Sequence, residues 1–233
     1  MTVEETVAAT GCATAGYDAN CSFCAEFERG AADSRSAARS LVTPSRPERV
    51  IWSDDDLVVV PTLGPVAKGH VMVLTREHYL SYAHVPRGLA ERAEALAETV
   101  CRRISGLGTP IMFEHGPMSE GATGGACTDH AHLHCVPMGE VDLKAGIDER
   151  LTGRRISSLV ELADQRRRRQ PYIYYRSGSG VSWLYDVDVD LPCQFLRRLA
   201  NAALGDHEEW DWLTFPKLDL VYATLDEISW SDK

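Results

Sequence analysis

The spacing of apolar positions changes along the chain, and each change marks an element. In "RVIWSDDDLVVVPT", residues 49–62, two β-rich runs flank an aspartate turn from Ser53 to Asp56, which predicts a hairpin. "GHVMVLTREH" alternates behind an entry glycine and predicts another strand. From Arg87 to about Ile104 the period lengthens. Leu89, Ala93, Leu96, Val100 and Ile104 recur at three- and four-residue steps, the stripe of an amphipathic helix, and "SGLG" stops it. "TPIMFEHG" predicts a strand ending at Gly116, "PMSEGATGGA" a glycine-rich loop, and "HAHLHCVP" a strand closed by proline. Hairpin, strand, helix, strand, loop and strand make an α+β pattern with antiparallel strands.

The flanks are less periodic. Residues 1–18 predict a flexible tail, "CSFCAEFERG" a short compact element, and 30–48 a polar loop, so the main domain is placed at 19–140. Residues 141–233 predict an extension of helix, hairpin and helix packed on that core. "ISSLVELADQ" is helix-like and runs into "RRRR" (166–169), read as a solvated helix end. "YIYYRSGSGVSWLYDV" is a hairpin around Gly178 and Gly180, and "CQFLRRLANAALG" an amphipathic helix closed by Gly205.

Composition narrows the function. With 44% hydrophobic residues, 233 residues can build a real core. A net charge of -10 argues against a nucleic-acid polymer as partner, because such binders need basic surface to replace phosphate counterions. A small phosphorylated ligand is not excluded, since histidines and backbone amides hold one without a basic surface. No apolar run is long enough for a membrane span, and the first residues lack the basic and apolar regions of a signal peptide. The seven scattered cysteines fit reduced thiols, some metal-bound, better than a disulfide framework. Together these predict a cytoplasmic protein.

Three of the eight histidines fall on alternate positions of one apolar run: His130, His132 and His134 in "HAHLHCV". On a strand they share one face, roughly 6.6 Å apart, while Ala131 and Leu133 turn inward. A neutral imidazole is a nucleophile, acid and base at neutral pH, so this spacing suits gripping a phosphate or a metal ion. The pair Cys21 and Cys24 in "CSFC" has three readings on its own: a zinc half-site, a redox dithiol, or chance.

"HAHLHCV" resembles the signature of the histidine triad superfamily. "KGHVMVLTREH" (68–78), "CSFC" and "FEHG" resemble further landmarks of that family, in the family's order, over residues 18–138. The resemblance implies an antiparallel sheet with one long helix and a nucleotide-containing small-molecule substrate. His132 matches the nucleophile that attacks a nucleotide phosphate, His134 the residue on the phosphoryl oxygens, and His70 the fourth histidine beside the site. It implies a nucleotidyl hydrolase working through a nucleotidyl-histidine. The alternatives are a transferase or phosphorylase using the same intermediate, or a binding module with weak catalysis. Compact members of the family often dimerise, so a homodimer is compatible with it.

In the zinc-containing branch of the family the cysteine pair is completed by the histidine ending the second strand and the first of the triad. The matching residues are Cys21, Cys24, His78 and His130, implying one structural zinc per chain. A catalytic metal on the histidine strand is the competing reading. Other positions depart from the pattern. Thr62 stands where an acidic residue holds the ribose, and Glu114 where an amide lies near the phosphate. Gly125 and Cys127 belong to a "GAC" that replaces Gly-Gln-Ser/Thr. Gly116, Gly125, Cys127, Thr62 and Glu114 are therefore the expected nucleotide or phosphate contacts, and the substitutions point to an unusual substrate. In the extension, Trp210, Trp212 and Tyr175 fit core positions better than base-stacking ones. Arg176, Arg197 and Arg198 are additional candidates for phosphate contact.

Overall fold

The computed structural model describes residues 16–27, 49–121, 128–228 and 230. Eight strands form one antiparallel sheet in the order β1-β2-β3-β5-β4-β7-β8-β6. β1 (Trp52–Ser53) and β2 (Leu57–Pro61) make the expected hairpin, with Trp52 opposite Val59. The Asp54 carboxylate accepts the Asp56 and Leu57 N–H groups at 2.9 and 2.8 Å, the side-chain hydrogen bonding that makes aspartate a turn former. β3 (Val71–Thr75), β4 (Pro110–Gly116) and β5 (His132–Pro137) complete the first half.

α1 (Ser22–Phe27) precedes the sheet and α2 (Arg87–Ile104) crosses one of its faces. The buried stripe of α2 is Ala90, Ala93, Ala97, Val100 and Ile104, with Leu89 and Leu96 only partly buried. This stripe is rotated slightly from the predicted one. Three alanines in it let the helix lie close to Leu133 and Cys135, and the leucines fill the rims.

The extension does more than pack on the core. After α3 (Lys144–Asp148) and β6 (Gly153–Ile156), a short 3₁₀ turn leads into α4 (Ala163–Arg168). The predicted helix over "ISSLVELADQ" is thus divided, with its first residue in a strand. The hairpin β7 (Tyr172–Arg176) and β8 (Ser182–Asp186) then pairs with β4, so both halves share one sheet and one core. α5 (Phe195–Ala203) and α6 (Leu218–Glu227) close the chain. No described helix is long and apolar enough to cross a membrane.

β2 and β3 are buried at every position because both faces of the sheet are covered. One face carries α2. The other is split: Val58, Val60, Met72 and Leu74 pack on Cys21, Phe23 and Cys24, while Ile111, Phe113, Ile173 and Tyr175 pack on Ile147, Phe195 and Leu196. The pocket opens between these two coverings.

Candidate active site and metal cluster

The alternation of β5 sorts the histidine run. Ala131, Leu133 and Cys135 face α2 and are fully buried, so His132 and His134 face the split side. Pairing with neighbouring strands brings Met72 and Phe113 level with His134, and Leu74 level with His132. Phe113 stacks on the His134 ring, 4.6 Å between centroids.

Protons along this face can be assigned by following donors from the backbone. The Val66 N–H donates to His70 Nδ1 at 3.2 Å, so that nitrogen carries no proton. His70 Nε2–H then donates to His134 Nδ1 at 2.9 Å, which leaves the proton of His134 on Nε2 as a donor. His132 is set the opposite way. Its Nδ1–H donates to the His130 carbonyl at 2.5 Å, leaving a lone pair on Nε2. Burial keeps all three rings neutral. It pushes the His132 pKa down to about 4 against its hydrogen bond to His130, and drives His70 and His134 well below the usual value.

His130 belongs to a different group. Its Nδ1 lies 3.4 Å from Cys21 Sγ and 3.7 Å from Cys24 Sγ, and its Nε2–H donates to the Thr75 carbonyl at 2.8 Å. His78 Nδ1 lies 3.5 Å from Cys24 Sγ, and its Nε2 faces Asp18 at 4.0 Å. Ligand atoms of Cys21, Cys24, His78 and His130 all lie within 4.8 Å of one another, a set able to hold a metal ion. The hydrogen bond from Cys24 lowers the Cys21 thiol's pKa despite burial, and Cys24 is pushed up in return. Phe23 packs on both His130 and His132, with centroids 5.6 and 5.8 Å away, so the knuckle buttresses the neighbouring ring.

The pocket is open to solvent and lies directly over the histidine face of β5. His132, His134, Thr62 and Thr128 line it, along with Ser22, Phe23, Glu26 and Arg49 from the amino-terminal side. Gln194, Leu196, Arg197 and Trp212 of the extension close the opposite side.

Two expected contacts lie elsewhere. Glu114 points to the other face of β4, where its oxygens accept from the Tyr82 N–H at 2.9 Å and the Tyr172 hydroxyl at 2.5 Å. Burial pushes its carboxyl up to about 8, against those two hydrogen bonds. Gly116 is held by the Tyr172 ring, because a Cβ there would stand 1.9 Å from Cε1. Neither residue lines the pocket. Gly125 and Cys127 lie outside the described residues. His70 sits behind His134 with no exposed surface, and reaches the pocket only through its hydrogen bond to that ring.

His115 was missed by sequence reasoning. Carrying the β4–β5 register two residues past Phe113 brings it level with His132, on the pocket side. Its Nε2 is buried without a hydrogen-bond partner, and burial lowers its pKa to about 3, helped by the nearby His132. The available signal was strand alternation: Phe113 and His115 must share the face that Glu114 leaves.

His132 and His134 thus lie on one strand beside the set Cys21, Cys24, His78 and His130, the grouping that the histidine triad resemblance implies. Residues 43–141 match the family described as HIT domain. Comparison with curated proteins yields no match. Among solved structures, a hypothetical histidine triad nucleotide-binding protein from Sulfolobus tokodaii is similar at 18% identity and TM-score 0.35. That match covers 40% of this chain and 62% of that one, less than two thirds of its length. A HIT family hydrolase from Clostridium thermocellum matches at 19% identity and TM-score 0.34, over 53% of this chain and 92% of that one. Yeast Ap4A phosphorylase in complex with AMP matches at 12% identity and TM-score 0.43, over 80% and 78%.

Proposed function

We propose that the protein is a nucleotidyl hydrolase. His132 Nε2 attacks the phosphorus of a nucleotide phosphoanhydride or phosphoramidate. The bond to the leaving group breaks, and that group departs with the electron pair and takes a proton from solvent. The nucleotidyl-histidine then accepts water at phosphorus. The P–N bond breaks, its electron pair returns to Nε2, the water gives up a proton to solvent, and a nucleoside monophosphate is released. His134 Nε2–H donates to a phosphoryl oxygen as charge builds there, and His115 stands where it can contact the same group. The reading rests chiefly on the opposed tautomers: a lone pair on His132 and a donor on His134, both lining the pocket.

The cluster is read as structural zinc. Zn–S bonds of about 2.3 Å and Zn–N bonds of about 2.05 Å at tetrahedral angles put sulfur and nitrogen about 3.6 Å apart. Three of the four sulfur–nitrogen distances are 3.4, 3.5 and 3.7 Å, and all ligand atoms lie within 4.8 Å of one another. Four protein ligands leave no position for substrate, so bound zinc would supply rigidity. Reduced thiols at these positions support a cytoplasmic location.

The test is turnover on a panel of nucleotide conjugates, with and without inorganic phosphate, for wild type and His132→Ala. Nucleoside monophosphate from the wild type alone, independent of phosphate, supports the hydrolase. Product carrying an added phosphate points instead to a phosphorylase. Binding without turnover points to an interaction module.

A further inference from the structure

Two cysteines meet behind the histidine strand, on the face of the sheet that the pocket does not use. Along α2, Cys101 follows Ala93 and Ala97 at four-residue steps and precedes Ile104 by three, so it belongs to the stripe turned toward the sheet. The small alanines before it keep that part of the helix close to β5. Cys135 lies on β5 beside His134 but faces α2, fully buried in the apolar cluster that Cys101 packs against. Both are free thiols, and they share a hydrogen bond. That hydrogen bond, and burial after it, push the Cys135 thiol up and keep its proton in place.

The two thiols differ in what can reach them. Cys101 is only partly buried and lines a cleft between the end of α2, β4 and the turn joining β7 to β8. Arg102 and Arg176 line the same cleft. The Arg176 guanidinium pairs with Glu98 at 2.9 Å and stands close enough to Cys101 for their charges to interact. Cys135 has no exposed surface, yet Met112, its partner across the sheet, also lines the cleft. A small reagent in the cleft therefore meets Cys101 first, with Cys135 directly behind it. Oxidation of Cys101 would also remove the thiol whose hydrogen bond most strongly holds the proton on Cys135. The other described cysteine pair is placed differently. Cys21 and Cys24 lie on the opposite face of the sheet, gathered with His78 and His130.

We propose that Cys101 and Cys135 are a peroxide-oxidisable thiol pair that closes to a disulfide between α2 and the histidine strand. The co-reactant is a hydroperoxide. The Cys101 sulfur attacks one oxygen, the O–O bond breaks, and the second oxygen leaves with the electron pair. It gains the proton that Cys101 lost and departs as water or an alcohol. The Cys135 sulfur then attacks the sulfenic sulfur of Cys101. The S–O bond breaks, and its oxygen leaves as water with the proton that Cys135 gives up. Two electrons thus pass from the thiol pair to the peroxide, and a thiol reductant reverses the change. This chemistry is independent of how the pocket is read.

Peptide mapping of the full-length protein tests it. The reduced protein is exposed to hydrogen peroxide at low molar excess, quenched with N-ethylmaleimide at mildly acidic pH, and digested without reductant. Mass spectrometry of the wild type should find a peptide joining Cys101 to Cys135, lighter by two hydrogens than its parts and absent after reduction. N-ethylmaleimide should label Cys101 in the native reduced protein, and oxidation should abolish that labelling. Cys135→Ala should leave a sulfenic acid on Cys101 that dimedone traps, and Cys101→Ser should leave Cys135 unoxidised. If melting curves show that Cys135→Ala does not fold, the wild-type map and Cys101→Ser decide. Cys101 carried to sulfinic acid with Cys135 intact, or joined to a different cysteine, overturns the proposal. So does a bridge confined to Cys21 and Cys24, a 101–135 bridge that forms only after denaturation, or oxidation of Cys135 in Cys101→Ser.

Discussion

The two sides of the pocket are built on different principles. The amino-terminal side is a knuckle in which Cys21, Cys24, His78 and His130 gather around a point and carry Phe23 onto His132. The extension side has no such cluster among the described residues. There Arg197 donates directly to the Thr62 hydroxyl and to the Leu63 and Gly64 carbonyls. One side gathers side chains able to hold a metal beside His132; the other is held by a donor-rich side chain. Removing a component from each side should therefore fail differently.

The largest effect is expected between them. His132→Ala should cut turnover by about 10⁴-fold or more and leave the melting temperature within a few degrees, measured on any substrate the wild type accepts. Breaking the knuckle comes next, and it should register first as lost stability. Cys24→Ser, or strong chelation, should lower the melting temperature by about 10 °C or more and release about one metal ion per chain, read by elemental mass spectrometry. Unchanged melting after chelation would remove the metal from the account. Arg197→Gln removes buried donors that tie α5 to residues 62–64, so it should lower the melting temperature by a few degrees without releasing metal, which sharpens the contrast between the sides.

The smallest effect is assigned to Glu114, behind the pocket. Its folded pKa of about 8 lies above the ordinary carboxylate value. The folded state therefore holds a proton that the unfolded chain has lost across the window from 4.5 to about 8. The stability it contributes is fully present below that window and is lost as pH rises through it. Glu114→Gln mimics the neutral acid, with its amide oxygen toward the Tyr82 N–H and its NH₂ toward the Tyr172 hydroxyl. It should preserve turnover within about threefold and flatten a decline on the order of a few kcal/mol, followed by denaturant melts from pH 5 to 8.

How much of this was legible differs between the two halves. In β5 a period of two fixes which histidines share a face, so the separation of His130, His132 and His134 from the inward Ala131 and Leu133 could be read directly. In β4 the same rule applied, but matching "FEHG" to a motif put attention on Glu114, one residue from the side chain that faces the pocket. The shift is a register effect: one step along a strand exchanges the two faces. The role of Arg197 had no local signal, because it depends on α5 docking 133 to 135 residues away from its partners in sequence. α6 was also not visible, since Lys217 starts it in a left-handed conformation rather than with a recognisable cap. That the extension would share the sheet was hidden for a similar reason: an alternating hairpin does not state which edge it will join.

The central claim is that His132 becomes covalently nucleotidylated, and intact-mass analysis of the protein quenched in base during turnover tests it most directly. The account predicts a gain equal to one nucleoside monophosphate less water, localised to the peptide bearing His132 and absent from His132→Ala. Turnover that proceeds with no such adduct, or with the adduct on another residue, would contradict it.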